Sequence, residues 1–306
     1  QKNVDKLNMV VPEWFFIDPK TDLLKTEIDT AALKVMKKAK VKILPLINNI
    51  NESLGEGDFD GDLIHRILHD KSKKERLIND IVKVLDKYKL QGINIDFEEF
   101  KENSDEPIIA FQKELYEKLH PLGYLVSQDI MAGDEDFNVK ELSKYNDYMF
   151  LMAYDEHYAS SVPGEVSSQK WIERIVDKTA KEIPSDKIIL CFAGYGYDWE
   201  ETEEGETITY DQAIAIAKQH NATIKFDNNT YNNSFKYIDS NGKKHEVDFE
   251  DAATNFNTIR FSDEYGLAGT ALWRLGSEDQ RLWSYYQRSL TNESVSKKPF
   301  DFSVMK

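Results

Sequence analysis

Asn94, Asp96 and Glu98 stand two residues apart in the run Gly92-Ile93-Asn94-Ile95-Asp96-Phe97-Glu98-Glu99-Phe100. In an extended strand, side chains two apart share a face, so these polar groups line one side and Ile93, Ile95 and Phe97 the other. With the apolar set packed against helices, the polar set points into an interior. Burial there costs free energy unless the groups bond to each other or to a ligand. Two neighbouring carboxyl groups resist ionising together, and their pKa values split. The expectation is that Glu98, the outermost, stays protonated near neutral pH and acts as general acid. Asp96, one pleat deeper, is expected to stay ionised and orient a substrate group. A satisfied interior network is the other use of the same residues.

Short β-branched and aromatic runs begin near Met9, Val41, Gly92, Tyr124, Tyr148, Lys187 and Gly269. Helix-like segments lie between and after them, over 30–39, 74–89, 107–120, 168–182, 210–220, 250–264 and 279–290. Ile78, Ile81, Val82 and Leu85 repeat at the spacing of one buried helical face. Continuous apolar strands alternating with helices mean a parallel sheet covered on both sides, hence a doubly wound sheet or a (β/α)8 barrel. No glycine-rich phosphate loop follows the first strand, which disfavours dinucleotide binding. Seven runs are one short of a barrel, so the first strand is expected upstream of Gln1. Residues 221–249, with the turn signal Asn241-Gly242, read as a hairpin in a small α+β insertion before the last strand. The barrel domain is expected over 1–290, and 291–306 as a C-terminal arm.

The 306 residues carry 39 Lys+Arg against 55 Asp+Glu, a formal net charge of −16. That balance argues against nucleic acid or an anionic membrane as partner, since both need a basic face. Hydrophobic residues at 41% suffice for a large core and exclude global disorder. Cys191 stands alone in an apolar run, which excludes an intramolecular disulfide and a multi-thiolate zinc site and reads as a buried thiol. No stretch approaches 18 apolar residues, so the chain itself is not expected to span a membrane. It begins at Gln1 without an initiator Met, as a mature form or an excised domain would.

Gly92-Ile93-Asn94-Ile95-Asp96-Phe97-Glu98 resembles the DGxDxDxE signature of glycoside hydrolase family 18, the chitinase-like TIM barrels. Leu151-Met152-Ala153-Tyr154-Asp155 resembles that family's MxYD motif. Gly194-Tyr195-Gly196-Tyr197-Asp198-Trp199 is similar to its YGxxW element, and Ala271-Leu272-Trp273 to the end of its last strand. The resemblance covers roughly residues 5–290. It implies hydrolysis of β-linked N-acetylglucosamine glycans with retention, by a substrate-assisted route that departs from the usual two-carboxylate scheme. Glu98 would be the acid and base. Asp96 and Tyr154 would stabilise the oxazolinium, Asn94 and Asp155 would line the sugar site, and Trp273 would floor it. No metal and no cofactor is implied. Pro12-Glu13-Trp14-Phe15, Pro45-Leu46-Ile47-Asn48-Asn49 and Ala153-Tyr154-Asp155-Glu156-His157 are similar to the family-18 domain of bacterial envelope proteins. Those also carry a polysaccharide deacetylase and a membrane glycosyltransferase, which implies an extracellular or cell-envelope location.

Gln91, Asn94 and Phe97 depart from the signature. Asn94 carries no charge but is expected to hydrogen-bond Asp96, and Gln91 to serve packing near the strand base. Gln128 and Asp129, ending one strand, and Trp14, in another, are cleft candidates; Gln128 and Trp14 are expected to bind substrate. Tyr195 and Tyr197 fit core or sugar platform equally, and His157 fits the rim. Asp58-Phe59-Asp60-Gly61-Asp62 superficially resembles a calcium loop but lacks the twelfth-position Glu. Two main function classes remain open, a retaining hydrolase resting on Asp96, Glu98 and Tyr154 and a non-hydrolytic carbohydrate-binding barrel resting on the departures, with a barrel enzyme of unrelated chemistry, such as a metal-dependent isomerase, as a distant third.

Overall fold

Each apolar run named above forms strand, and those beginning near Met9 and Val41 form two short strands apiece. The structure is a computed structural model, and it describes residues 2–55, 57–101, 105–131, 138–201 and 204–287. The expected arm at 291–306 lies outside the described residues. The chain divides into two units, Gln1–Phe150 and Leu151–Lys306.

The first unit runs β1 (Met9–Val10), β2 (Glu13–Asp18), β3 (Leu23–Thr26), α1 (Thr30–Ala39), β4 (Lys42–Ile43), β5 (Leu46–Asn48), α2 (Gly61–Leu68) and α3 (Lys71–Tyr88). It continues with β6 (Gly92–Asp96), α4 (Asp105–Leu119), β7 (Leu125–Met131), α5 (Val139–Leu142) and β8 (Tyr148–Met152), within which the division falls. Strands β2, β5, β6 and β7 pair parallel in that order. Leu46 lies opposite Asn94, Asn48 opposite Asp96, and Asn94 opposite Ser127. Partners across a parallel pair face the same way, so this register decides which side chains meet.

The helices behind these strands follow from caps and periodicity. Asp70 accepts from the Ser72 and Lys73 amides at the start of α3, and Lys89, with φ 51°, closes it in the left-handed region. The helix buries Leu77, Ile78, Ile81 and Leu85. Val82, expected on that face, is half-buried, because the stripe is turned one position toward Leu77. Helix α4 buries Ile108, Phe111, Leu115 and Leu119. Phe97 packs on Phe111 at 5.7 Å between ring centroids, so the apolar face of β6 is covered as expected. Full burial of each such side chain contributes about 1.5–3 kcal/mol. Asp60, in the cation-loop look-alike, caps α2 instead: Oδ1 accepts from the Leu63 amide at 2.8 Å, and Oδ2 from Asn51 Nδ2 at 2.8 Å.

The second unit runs α6 (Gln169–Glu182), β9 (Ile188–Ala193), β10 (Tyr195–Glu200), β11 (Glu206–Thr209), α7 (Tyr210–Gln219), β12 (Lys225–Phe226), β13 (Asn233–Ile238), β14 (Lys244–Phe249), α8 (Ala252–Glu264) and β15 (Gly269–Trp273). Strands β9 and β15 pair parallel, and Cys191 on β9 is buried. An antiparallel sheet of order β11-β10-β14-β13-β12 carries the expected hairpin as β13 and β14. Their loop is longer than a two-residue turn: Ile238 pairs Lys244, and Gly242 takes φ 83°, which only glycine adopts freely. The sheet also recruits β10 and β11, upstream of the expected segment. Ile208, Ala213, Phe235, Val247 and Phe249 form the core between this sheet and α7. Among the described residues no helix is long and apolar enough to cross a membrane.

Gly92 opens β6 where a Cβ would come 2.1 Å from the Leu125 carbonyl oxygen. That clash is with backbone and cannot be relieved by a rotamer. Gly92→Ala is expected to destabilise the fold by roughly 2 kcal/mol or more, read as a lower urea midpoint at unchanged m-value.

Candidate active site

Strand β6 brings Asn94 and Asp96 to one face, and the chain leaves the strand at Phe97 and Glu98. Glu98 is held by its backbone. Asn49, fully buried just past β5, donates from Nδ2 to the Glu98 carbonyl at 3.0 Å and accepts from the Glu98 amide at 3.1 Å through Oδ1. The same Nδ2 reaches the Asp60 carbonyl at 3.1 Å. Beneath the next peptide, a Cβ on Gly61 would meet the Glu99 carbonyl oxygen at 2.1 Å, so glycine permits this close approach. Glu99 itself has φ 57° and is exposed. The clamp fixes where the Glu98 side chain starts without using its carboxyl group.

Asp96 hydrogen-bonds Glu98 through its side chain. Its other oxygen, Oδ1, is shut away from solvent with no hydrogen-bond partner. Burial pushes the Asp96 carboxyl well above the usual carboxylate range, and the charges of Asp129, Glu98 and Glu13 push the same way. This corrects the expectation that Asp96 stays ionised. Depth favours its neutral form, and a third carboxyl stands close by.

That third carboxyl is Asp129 on β7. Burial pushes it up to about 8; the Asn94 hydrogen bond opposes this and the Glu98 charge adds to it. Asn94 Nδ2 donates to Asp129 Oδ2 at 2.7 Å, and Asn94 Oδ1 accepts from Ser127 Oγ at 2.7 Å. Asn94 is therefore bonded to the neighbouring strand, not to Asp96 as expected. The register allows it: Asn94 lies opposite Ser127, and Ser127 and Asp129, two apart on β7, share the face toward which Asn94 points.

Gln128 is corrected as well. It alternates with Ser127 and Asp129 and so faces the other side of the sheet, fully buried, where Asn146 Nδ2 donates to its Oε1 at 3.3 Å. Gln112 and Asn146 continue that network at 2.6 Å. Gln128 is a core residue behind the sheet and presents nothing to a ligand. Trp14 lies where the β2–β5 register slips by one residue between Glu13 and Phe15, and is 7% exposed, which leaves little of its ring for a sugar. Its neighbour Glu13 accepts from Asn48 Nδ2 at 2.8 Å, and its charge acts on Asp96. Gln91 sits at the strand base as expected, accepting from the Ile43 amide at 2.9 Å and donating to the Lys89 carbonyl at 2.9 Å.

In the second unit Tyr154 and Asp155 follow β8, and Asp155 takes φ 62°. Asp155 Oδ1 accepts from the hydroxyls of Tyr195 at 2.7 Å and Tyr197 at 2.9 Å. Burial raises the Asp155 carboxyl, and both tyrosine bonds oppose that. Tyr195 and Tyr197 are buried with Val166 and Trp199 in one apolar cluster, so they act as core aromatics that hold Asp155. Half-buried Tyr154 packs against that cluster, edge-on to Tyr195 at 6.4 Å. Trp273 ends β15 with 37% of its surface exposed. His157 lies half-buried against Gly164. Among the described residues no group of three or more His, Cys, Asp or Glu is arranged to hold a metal ion.

The model of the family described as "Glycosyl hydrolases family 18" matches residues 7–279. The chain belongs to glycoside hydrolase family 18. It is 27% identical over 290 residues to the uncharacterized glycosylase YvbX of Bacillus subtilis, covering 90% of this chain and 83% of that one. It is 29% identical over 242 residues to the cortical fragment-lytic enzyme of B. subtilis, covering 74% of this chain but only 56% of the relative's length. The crystal structure of a chitinase from Chromobacterium violaceum superposes with a TM-score of 0.85 at 24% identity, over 93% of this chain and 92% of that one. The fold is accordingly the family's (β/α)8 TIM barrel, and the family-18 chain is a glycoside hydrolase of chitinase-like type.

Asn49 and Glu13 carried no assigned role in the sequence, and Asp129 was a cleft candidate without a stated task. Asn49→Ala would strand the buried Glu98 amide and carbonyl, and is expected to cost about 1–3 kcal/mol of stability. It should also lower kcat more than it changes KM, read by thermal unfolding and steady-state kinetics.

Proposed function

We propose that the chain is a retaining glycosidase that cleaves β-linked N-acetylglucosamine glycans with the substrate's own acetamido group as nucleophile. The observation that carries this reading is the pairing of Glu98 with Asp96, whose Oδ1 is a buried acceptor without a donor. An unpaired buried acceptor costs free energy that a ligand N–H would offset.

In the first step Glu98 gives its proton to the glycosidic oxygen as the bond to the anomeric carbon breaks. The acetamido oxygen attacks that carbon from the other side and forms an oxazolinium ion. Asp96 loses its proton to water as the substrate binds and the acetamido N–H comes to Oδ1, and the resulting carboxylate balances the positive charge. Tyr154 donates its hydroxyl to the acetamido oxygen, Asp155 lines the same subsite, and the exposed face of Trp273 floors the sugar ring. Glu98, now a carboxylate, takes a proton from water; the hydroxide attacks the anomeric carbon and reopens the ring with retained configuration. Asn94 lines the inner end of the site through Asp129. The route calls on no metal or cofactor.

The departures that favoured a binding-only barrel give it little support. Phe97 is buried on the helix side against Phe111, Gln91 bonds at the strand base, and Asn94 has a carboxyl partner on β7. The substrate fits an N-acetylated polysaccharide of the chitin or peptidoglycan kind, and the cortical fragment-lytic relative supports an extracellular or cell-envelope site of action. Residues 1–290 form the catalytic domain in this reading.

Glu98→Gln is expected to lower release of reducing ends from N-acetylglucosamine oligomers by ~10²–10⁴-fold, the range of a general acid. Oligomer affinity by calorimetry should stay within a few-fold. Turnover equal to wild type in the variant would end the assignment.

A further inference from the structure

Strand β6 has no carboxyl group at position 94, yet a second buried carboxyl stands beside Asp96. Asn94 and Ser127 are both fully buried and Asp129 is 9% exposed. Their bonds form one chain, from Ser127 Oγ to Asn94 Oδ1 and from Asn94 Nδ2 to Asp129 Oδ2, each 2.7 Å. Both polar atoms of the Asn94 side chain are therefore bonded to β7, Oδ1 to Ser127 and Nδ2 to Asp129. An asparagine in a core strand, with both amide atoms spent on the next strand, is costly unless the group it holds matters.

We propose that Asp129 is a positioning residue for Asp96: held by the Asn94 amide, it supplies from the neighbouring strand the inner carboxyl that Asp96's own strand lacks. The inference rests on the glycosidase reading above and adds a residue to it. The charged and titratable groups facing Asp96 are Asp129, Glu98 and Glu13, and Asp129 in turn faces Glu98. Asp129 acts by charge. While it is ionised, Asp96 holds its proton more firmly, since two adjacent buried anions repel. While it is neutral, Asp96 is free to become the anion that the oxazolinium requires. The charge available to the inner site is thus divided between two strands joined by one amide.

The sign follows directly. Asp129→Asn removes an anion that raises Asp96, so Asp96 titrates at lower pH; the same loss acts on Glu98, because the Asp129–Glu98 repulsion is mutual. Both limbs of the kcat/KM profile are expected to move to lower pH, by on the order of one unit. A purely structural role would lower stability and leave the profile in place. The double variant Asn94→Asp/Asp129→Asn puts the carboxyl on β6 and the amide on β7, and is expected to return the profile toward wild type.

The deciding experiment is a pH titration of full-length protein with ¹³C-labelled aspartate carboxyl groups, the Asp96 signal being identified by its loss in Asp96→Asn. The expected result is a lower Asp96 midpoint in Asp129→Asn and a restored one in the swapped double variant. An Asp96 midpoint that does not move in Asp129→Asn overturns the inference whether or not the protein turns over glycan. Failure of the wild type to release reducing ends would instead overturn the glycosidase reading, and the titration separates the two.

Discussion

Asp96 on β6, Glu98 just past its end and Asp129 on β7 lie close together, and a dry environment does not tolerate three adjacent carboxylates. That constraint explains much of the first unit. The chain meets the cost by keeping protons: burial raises Asp96 well above the usual range and Asp129 to about 8. It also supplies neutral donors. Asn94 binds Asp129, Asn48 binds Glu13, and Ser127 completes the Asn94 amide. In the proposed reaction that charge is held in reserve until a ligand cation develops, and electrostatic stabilisation of that kind works best where water is excluded.

Such a site needs rigid placement, and the backbone provides it at two points. The Asn49 side chain clamps both polar backbone groups of Glu98, and glycines at 61 and 92 let strands and turns approach where a side chain would collide. In the second unit the same economy appears with different groups. Two buried tyrosine hydroxyls converge on Asp155 Oδ1 and fix a residue whose backbone is in the left-handed region. The strain of that conformation, of order 1–3 kcal/mol, is borne by the apolar cluster of Val166, Tyr195, Tyr197 and Trp199.

The fold was readable because apolar runs and amphipathic helices obey fixed periods. Ile93, Ile95 and Phe97 pack outward while Asn94 and Asp96 point inward, as a period of two requires. What one strand's period cannot reveal is its partner. Gln128 and Asp129 are adjacent, and only the register of β7 against β6 tells which of them shares a face with Asn94. The register slip at Trp14 defeats parity in the same way, and it is the charge of Glu13 that acts on Asp96. Asn49 was missed because its work is done on backbone atoms, which leave no motif of side chains. The ionisation of Asp96 was misjudged for a related reason: depth and a neighbour from another strand set it, and neither is a local property of the sequence. The antiparallel sheet begins earlier than the Asn241-Gly242 signal suggests, because β10 pairs with β14, a long-range partner that local turn chemistry does not reveal.

The central claim is that the sugar's amide closes on the anomeric carbon while Asp96 receives its N–H. A thiazoline analogue of that cyclised intermediate tests it directly through its inhibition constant. Binding at least ~10²-fold tighter than the parent N-acetylglucosamine oligomer, as transition-state-like analogues show, with that advantage lost in Asp96→Asn, is the predicted result. Equal affinity for analogue and parent sugar would contradict the account.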